Sequence, residues 1–272
     1  MVSAPASAPV FIGPTWQRAE DGRFLLPERS LGGQAIQWAR TWLQQPDGHR
    51  AGEPWEFTKE QARFLMWFYA VDDAGRFLYR RASLRRMKGW GKDPLGAVIC
   101  AIEFVGPSRY FGDDPDGDPI AVPVYASWVQ TAAVSRDQTR NTMTLFPGLF
   151  SDALIAEHRI DIGKEIIYAH QGRCRIEAVT SSPRALEGNR TTFTLKNEPQ
   201  HWLQNNEGHA MAAVIARNAA KLDARVLSIG NAHMPGEDSD AERDWEAWQA
   251  ISSGASRATG FLYDSIEAPA DT

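Results

Sequence analysis

The chain has 272 residues, of which 43% are hydrophobic and 23% charged, with a formal net charge of −5. That length holds one large α/β domain, and the absence of any apolar run of membrane-spanning length excludes a transmembrane protein. The acidic balance excludes a surface that is basic all over, while Cys100 and Cys174, in no metal-ligand spacing, suit a reducing interior with cytosol as the default compartment.

In chain order, MVSAPASAPV lacks the basic start and apolar block of a secretory signal and reads as a flexible arm. Residues 1–52 otherwise hold one amphipathic helix, GGQAIQWARTWLQQ, with Ile36, Trp38, Trp42 and Leu43 on its packing face. PWEFTKEQARFLMWFYAVD is a second helix, opened by Thr58 with Gln61 at the capping-box spacing and loaded with Phe64, Leu65, Trp67 and Phe68. RFLYRRASLR is a strand, and PLGAVICAIEFV a small, apolar, buried helix. The Gly, Pro and Asp cluster PSRYFGDDPDGDP is a surface connection, since it lacks the Glu that ends a calcium loop. VPVYASWVQTAA is a strand, SRDQTRNTMTLFPGLF a helix capped by Ser135, and KEIIYAH with CRIEAVTSS a strand pair around QGR. The strand TTFTLKNE, the helix EGHAMAAVIARNAAK and the strand RVLSIGNA follow. This alternation predicts an α/β fold with a mostly parallel central sheet and helices on both faces.

Between the first strand and its helix lies RRMKGWGKDPLGA, Arg85 to Ala97. A phosphate-binding loop has Gly, four free positions, Gly-Lys and then Ser or Thr; here Gly91-Lys92 keep the central pair, Arg86 stands for the first Gly and Asp93 for the hydroxyl. Strand, glycine turn and helix is the order such a site needs, because backbone N–H groups and a helix N-terminus converge on one anion. Read alone, Gly-Lys is also compatible with a surface turn. Arg80, Arg81, Arg85, Arg86 and Lys88 crowd this loop and serve the phosphates or solubility. Nucleotide contacts are expected from Arg86, Met87, Lys88, Gly89, Trp90, Gly91, Lys92, Asp93 and Pro94, with Lys92 reaching the terminal phosphates.

A nucleotide hydrolase also needs acidic groups at a strand end, one for the metal shell and one to polarise water. Asn197-Glu198 end TTFTLKNE, which makes Glu198 the candidate base and Asn197 a neutral member of the metal shell; a turn cap before Pro199 is the other reading. Ser228, Gly230 and Asn231 end the next strand and suit sensing of a terminal phosphate, or an ordinary polar loop.

Four segments, WEFTKEQARFLMWFYAVD, RRMKGWGKDPLGA, TTFTLKNEPQHW and LSIGNAHMPGEDSDAERDW, occur in an order that resembles the ATPase part of bacteriophage terminase large subunits, from about Pro54 to Asp264. The second and fourth resemble an actinophage-like branch. The resemblance implies a P-loop ATPase at residues 53–264, preceded by the arm and helix of 1–52 and followed by a linker, 265–272, to a nuclease domain absent here, so no nuclease activity is expected. It implies ATP and Mg2+ as cofactors and double-stranded DNA, a portal protein and a terminase small subunit as partners. A homo-oligomeric ring in the host cytoplasm is implied as well, with a monomer in isolation. Gln61 becomes the adenine-reading glutamine, with Pro54, Trp55 and Phe57 around the base. Ser228 to Asn231 become the coupling segment. Terminase motors also take an arginine finger from a neighbouring subunit, and Arg184 fits its location, with Arg190 second.

Two departures concern the metal. Asp93 replaces the magnesium-binding hydroxyl and Asn197 removes a carboxylate opposite, so a charge lost on the strand is regained on the loop. That makes Asp93 and Asn197 the candidate metal ligands. The alternatives are a nucleotide-binding or structural module without hydrolysis, and a helicase-like or kinase-like phosphate-loop enzyme outside packaging.

Overall fold

The computed structural model describes residues 8–180, 183–257 and 260–268. Strand β1 (Val10–Ile12) is followed by helices α1 (Gly32–Trp42) and α2 (Lys59–Phe68). The capping box of α2 forms: Gln61 N donates to Thr58 Oγ1 at 3.1 Å and Thr58 N donates to Gln61 Oε1 at 3.0 Å. Two donors that the helix start would leave orphaned are thus satisfied. Strand β2 (Arg81–Arg85) enters the loop and α3 (Lys92–Val105), which is buried along nearly its whole length, as a helix apolar on all sides must be.

The Gly, Pro and Asp cluster after α3 is more than a connection. It forms a hairpin, β3 (Arg109–Asp113) and β4 (Pro119–Val122), whose turn is closed by Asp116 N and Asp118 N donating to Asp114 Oδ1. At least this aspartate serves the turn's own amides. After β5 (Trp128–Ala133), the one helix expected over 135–150 is two, α4 (Arg136–Met143) and α5 (Phe146–Leu149). Pro147 is the reason: it has no N–H, and its ring would crowd the carbonyl of Met143, the last residue of α4. A helix not foreseen, α6 (Asp152–His158), opens on Ser151, whose Oγ accepts from Leu154 N at 3.1 Å.

The short strands β6 (Asp161–Ile162) and β7 (Ile166–Ala169) lead to β8 (Cys174–Thr180), α7 (Pro183–Leu186) and β9 (Phe193–Asn197). Then come α8 (Gly208–Leu222), β10 (Arg225–Gly230), α9 (Asp240–Ser252) and β11 (Phe261–Glu267). Nine strands form one sheet in the order β1-β11-β2-β10-β9-β5-β8-β7-β6. The six from β11 to β8 are parallel, and only the margins are antiparallel. This is a P-loop-type arrangement, with β10 seated between β2, which leads into the loop, and β9, which Glu198 follows.

Parallel strands need both faces covered. Leu195, Leu227 and Ile229 pack with α1, α2 and α3 on one face, while Ala132 and Val226 pack with Met211, Val214 and Ile215 of α8 on the other. The expected α/β layering is therefore what forms. Two boundaries differ from the sequence reading. Val10–Ile12 pair with Ser265–Glu267 at the sheet edge, so Val10, at the end of the segment read as a flexible arm, opens a strand. The division placed after Asp264 falls inside β11, where Ser265 pairs with Arg85. The ladder runs three residues past Asp264, because Ser265–Glu267 are paired with β1 on one side and Ser265 with β2 on the other.

Candidate functional site

The site is built at the C-terminal ends of β2, β9 and β10. Gly89 and Gly91 turn the loop with φ of +84° and +92°, a backbone region that side chains with a Cβ adopt only under strain. Met87, Lys88 and Gly89 are exposed, and the N–H groups of Met87, Lys88, Gly89 and Gly91 donate no backbone hydrogen bond among the described residues. Unpaired donors in a turn at a helix N-terminus are what an anion cradle requires. Lys92, the first residue of α3, is buried and forms no ion pair among the described residues. Asp93 and Pro94, half-buried, complete the first turn.

Arg86 has a different position from the loop around it. Its guanidinium is 2% exposed, donates to Glu60 Oε1 at 2.6 Å and pairs with the buried Asp264 of β11. It also lies 5.2 Å from the Trp90 ring centre. The side chain is consumed in fastening the loop to α2 and β11. Thr15 and Trp16 also donate to Asp264, tying the N-terminal segment to the same point. This clamp had no sequence signal, because its members are up to 249 positions apart.

Gln61 is brought to the loop. Its Oε1 is held by the capping box, and its Nε2 lies 3.7 Å from where a Cβ on Gly91 would stand. The amide donor is the end available for a base. Trp55 and Phe57 are instead buried in the core as an edge-to-face pair with centres 5.8 Å apart, and Pro54 is exposed. Neither ring has a free face for a purine in this conformation.

At the strand ends, β10 holds both halves of the site. Arg86 N donates to Gly230 O at 3.1 Å and Glu198 N donates to Ile229 O at 2.8 Å. Gly96 brings α3 down on the same place: a Cβ there would sit 2.7 Å from Ile229 Cδ1 and 3.1 Å from Leu195 Cδ2. Gly230 allows an equally close approach, since its Cβ would stand 2.4 Å from Gln200 Oε1. Asn197 Nδ2 donates to Thr142 Oγ1 at 3.2 Å, leaving Asn197 Oδ1 buried without a partner. Glu198 sits in the left-handed region, φ 51°, and its Oε2 accepts from Gln138 Nε2 at 2.8 Å. Ser228 Oγ, Asn231 Oδ1 and both amide atoms of Gln200 are also buried and unpaired.

Gln138, Thr142 and Gln200 were not singled out from the sequence. Gln138 had a signal that pointed elsewhere, for it lies three residues after Ser135 in capping-box spacing. Its backbone N–H does donate to Ser135 Oγ at 3.3 Å, but its side chain turns to Glu198.

Asp93 is the electrostatic oddity. Burial raises its pKa above the ordinary carboxylate value, Lys92 lowers it, and Glu198 raises it again, so the three groups act on one another. Asp93 Oδ1 is buried with no hydrogen-bond donor. Two unpaired oxygens, Asp93 Oδ1 and Asn197 Oδ1, suit a hard cation. Among the described residues no group of three or more His, Cys, Asp or Glu gathers to hold a metal.

Arg184 lies in α7, and its side chain falls outside the described residues. Arg190 is exposed just before β9, at the opposite edge of the sheet from Glu198, whereas α7 follows β8 on the site's own edge. Two cavities among the described residues, about 580 Å³ beside α4 and about 500 Å³ against α8 and α9, are not lined by Lys92, Asp93, Asn197 or Glu198. No helix among the described residues is long and apolar enough to cross a membrane.

This architecture has a solved counterpart. The crystal structure of the HK97 bacteriophage large terminase matches 89% of this chain and 45% of that one, with a TM-score of 0.62 and 18% sequence identity. The chain has the fold of a phage large terminase. No protein-family model matches it. In sequence it is similar to the Gene 13 protein of Mycobacterium phage L5, 45% identical over 290 residues, and to that of Mycobacterium phage D29, 44% identical over 292. Each alignment covers 98% of this chain and 49% of the relative, so the chain spans about half the length of those proteins. The terminase resemblance carried by the four sequence segments and the terminase fold thus agree, and the mycobacteriophage relatives fit the branch.

Proposed function

We propose that the chain is the ATP-hydrolysing part of a viral DNA-packaging motor, acting on double-stranded DNA at a portal with a small-subunit partner in the host cytoplasm. One observation carries the reading above all: adjacent carbonyls of β10 fix the loop through Arg86 and the acidic strand end through Glu198. A phosphate cradle and a water-activating carboxylate are thereby held at one point.

Substrate phosphates would be received by the loop N–H groups and Lys92, and the base by Gln61 Nε2. Asp93 and Asn197 would hold magnesium, which when bound neutralises charge on the phosphate oxygens. Glu198, oriented by Gln138, takes a proton from the attacking water. Ser228, Gly230 and Asn231 lie where loss of the terminal phosphate alters the end of β10, and β10 touches both halves of the site. Arg184 is the finger offered to a neighbouring subunit in a ring, where it offsets charge gathered in the transition state.

The test is steady-state hydrolysis at increasing protein concentration. Specific activity should rise with concentration, and Arg184→Ala should remove the rise. Turnover independent of both would overturn the trans arrangement, and no turnover at any concentration would favour a binding module without hydrolysis.

A further inference from the structure

The position that carries a hydroxyl in the standard loop carries a carboxylate here, and a carboxylate does something a hydroxyl cannot. A hydroxyl is neutral and can donate to a phosphate oxygen; an ionised Asp only accepts. Asp93 lies in the first turn of α3, the end of the helix that favours negative charge, so carboxylate and phosphate compete for one cradle. Gly96, one turn further along α3, seats the helix closely on Leu195 and Ile229. The oxygen of the other candidate ligand, Asn197 Oδ1, cannot relieve Asp93. It too is an acceptor, it is buried and unpaired, and its residue is only 4% exposed. Its amide nitrogen is already turned to Thr142. Lys92 is the one nearby cation among the groups acting on Asp93, and Glu198 opposes it.

Resting on the nucleotide-site reading above, we propose that Asp93 makes the loop selective for the divalent-cation complex of a nucleoside triphosphate and rejects the metal-free polyphosphate. With a divalent cation between them, carboxylate and phosphates are both attracted to the ion. Without it, two sets of anionic oxygens face each other in a partly buried site where water screens them poorly. The same oxygens that repel free nucleotide are those that recruit the ion, so selection and coordination come from one side chain. A hydroxyl in its place would keep much of the metal-bound affinity and lose the rejection.

Equilibrium binding of ATP, measured by calorimetry with excess magnesium and again with excess EDTA, tests this without relying on turnover. In the unaltered chain, removing magnesium should weaken ATP by on the order of a hundredfold, about 2.7 kcal/mol. Asp93→Ser should strengthen metal-free ATP by on the order of tenfold and so shrink that ratio. Asp93→Asn, of the same shape but neutral, should also strengthen metal-free ATP, which separates charge from packing. Equal metal-free binding by the chain and both variants would overturn the proposal, as would weaker metal-free binding in the variants. Lys92→Ala distinguishes the two levels of failure: if it leaves ATP binding intact, the nucleotide-site reading itself is wrong. If it abolishes binding while the Asp93 variants change nothing, only the selectivity is.

Discussion

Gln138 Nε2 donates to Glu198 Oε2 at 2.8 Å, across 60 positions of sequence and from helix α4 to the end of β9. A carboxylate in a left-handed backbone conformation just after a strand has few neighbours on its own element to hold it, and Gln138 supplies that hold. Gln138 is a positioning residue, because its bond goes to Glu198. Gln138→Leu should lower kcat by about ten- to a hundredfold, the equivalent of about 1.5–3 kcal/mol for a hydrogen bond to a charged group. The dissociation constant for magnesium-ATP should stay within about threefold on the same scale, less than 1 kcal/mol. An equal loss in binding and turnover would show that Gln138 shapes the cradle instead.

Asp264→Ala probes the clamp behind the loop. Arg86 would keep Glu60 but lose its fully buried partner, and an uncompensated buried charge costs about 3–5 kcal/mol. Because Glu60 remains, the expected loss is near the lower end, about 3 kcal/mol. Urea unfolding followed by tryptophan fluorescence checks it, and a change under about 0.5 kcal/mol, the range of ordinary surface substitutions, would mean that the pair contributes little.

Gly230→Ala tests the contact between the coupling segment and the residue after the acidic strand end. The new Cβ would lie 2.4 Å from Gln200 Oε1 and 2.9 Å from Pro199 Cδ, and the proline ring cannot swing away as the amide can. Overpacking of about 1–3 kcal/mol is expected. A thermal melt unchanged within error would show that the end of β10 yields freely.

The pairing of His158 and His170, with ring nitrogens 3.2 Å apart, gives a pH dependence whose sign is fixed. Burial lowers both pKa values, and nearby Arg173 and Arg159 lower His170 further. In the unfolded chain these rings bind protons more readily than in the folded one, so the stability they contribute is fully present above the unfolded value of about 6.5 and is lost as pH falls through the folded values. Urea midpoints should therefore drop between pH 7.5 and pH 5.5, and the double change His158→Gln, His170→Gln should flatten that drop. A drop of the same size in the double variant would assign it to other groups.

Much of the fold was readable because its signals are local. Thr58 and Gln61 lie three apart, the glycines of the loop sit beside Lys92, and the strand and helix alternation repeats along the chain. Even so, Pro147 splits a helix where periodicity ran on, and β1 is too short to announce itself before it meets β11. Contiguous motifs, as at Gly91-Lys92 and Asn197-Glu198, could be singled out along the chain as candidates. The site was not readable where distant segments meet. Arg86 looked like a phosphate ligand until folding set it against Asp264 and Glu60, and Trp55 and Phe57 looked like a base pocket until the core enclosed them. Gln138 imitated a capping residue because that spacing is the same whether the side chain turns back or reaches across.

The proposed hydrolysis rests most directly on Glu198. Glu198→Gln keeps size and hydrogen-bonding shape but removes the carboxylate, so magnesium-ATP binding should be retained while turnover falls by about a hundredfold or more, the scale of a lost general base. Retained binding with that loss is the predicted result, measured by calorimetry and by single-turnover phosphate release. Unchanged turnover would contradict the assignment of this strand end as the site of hydrolysis.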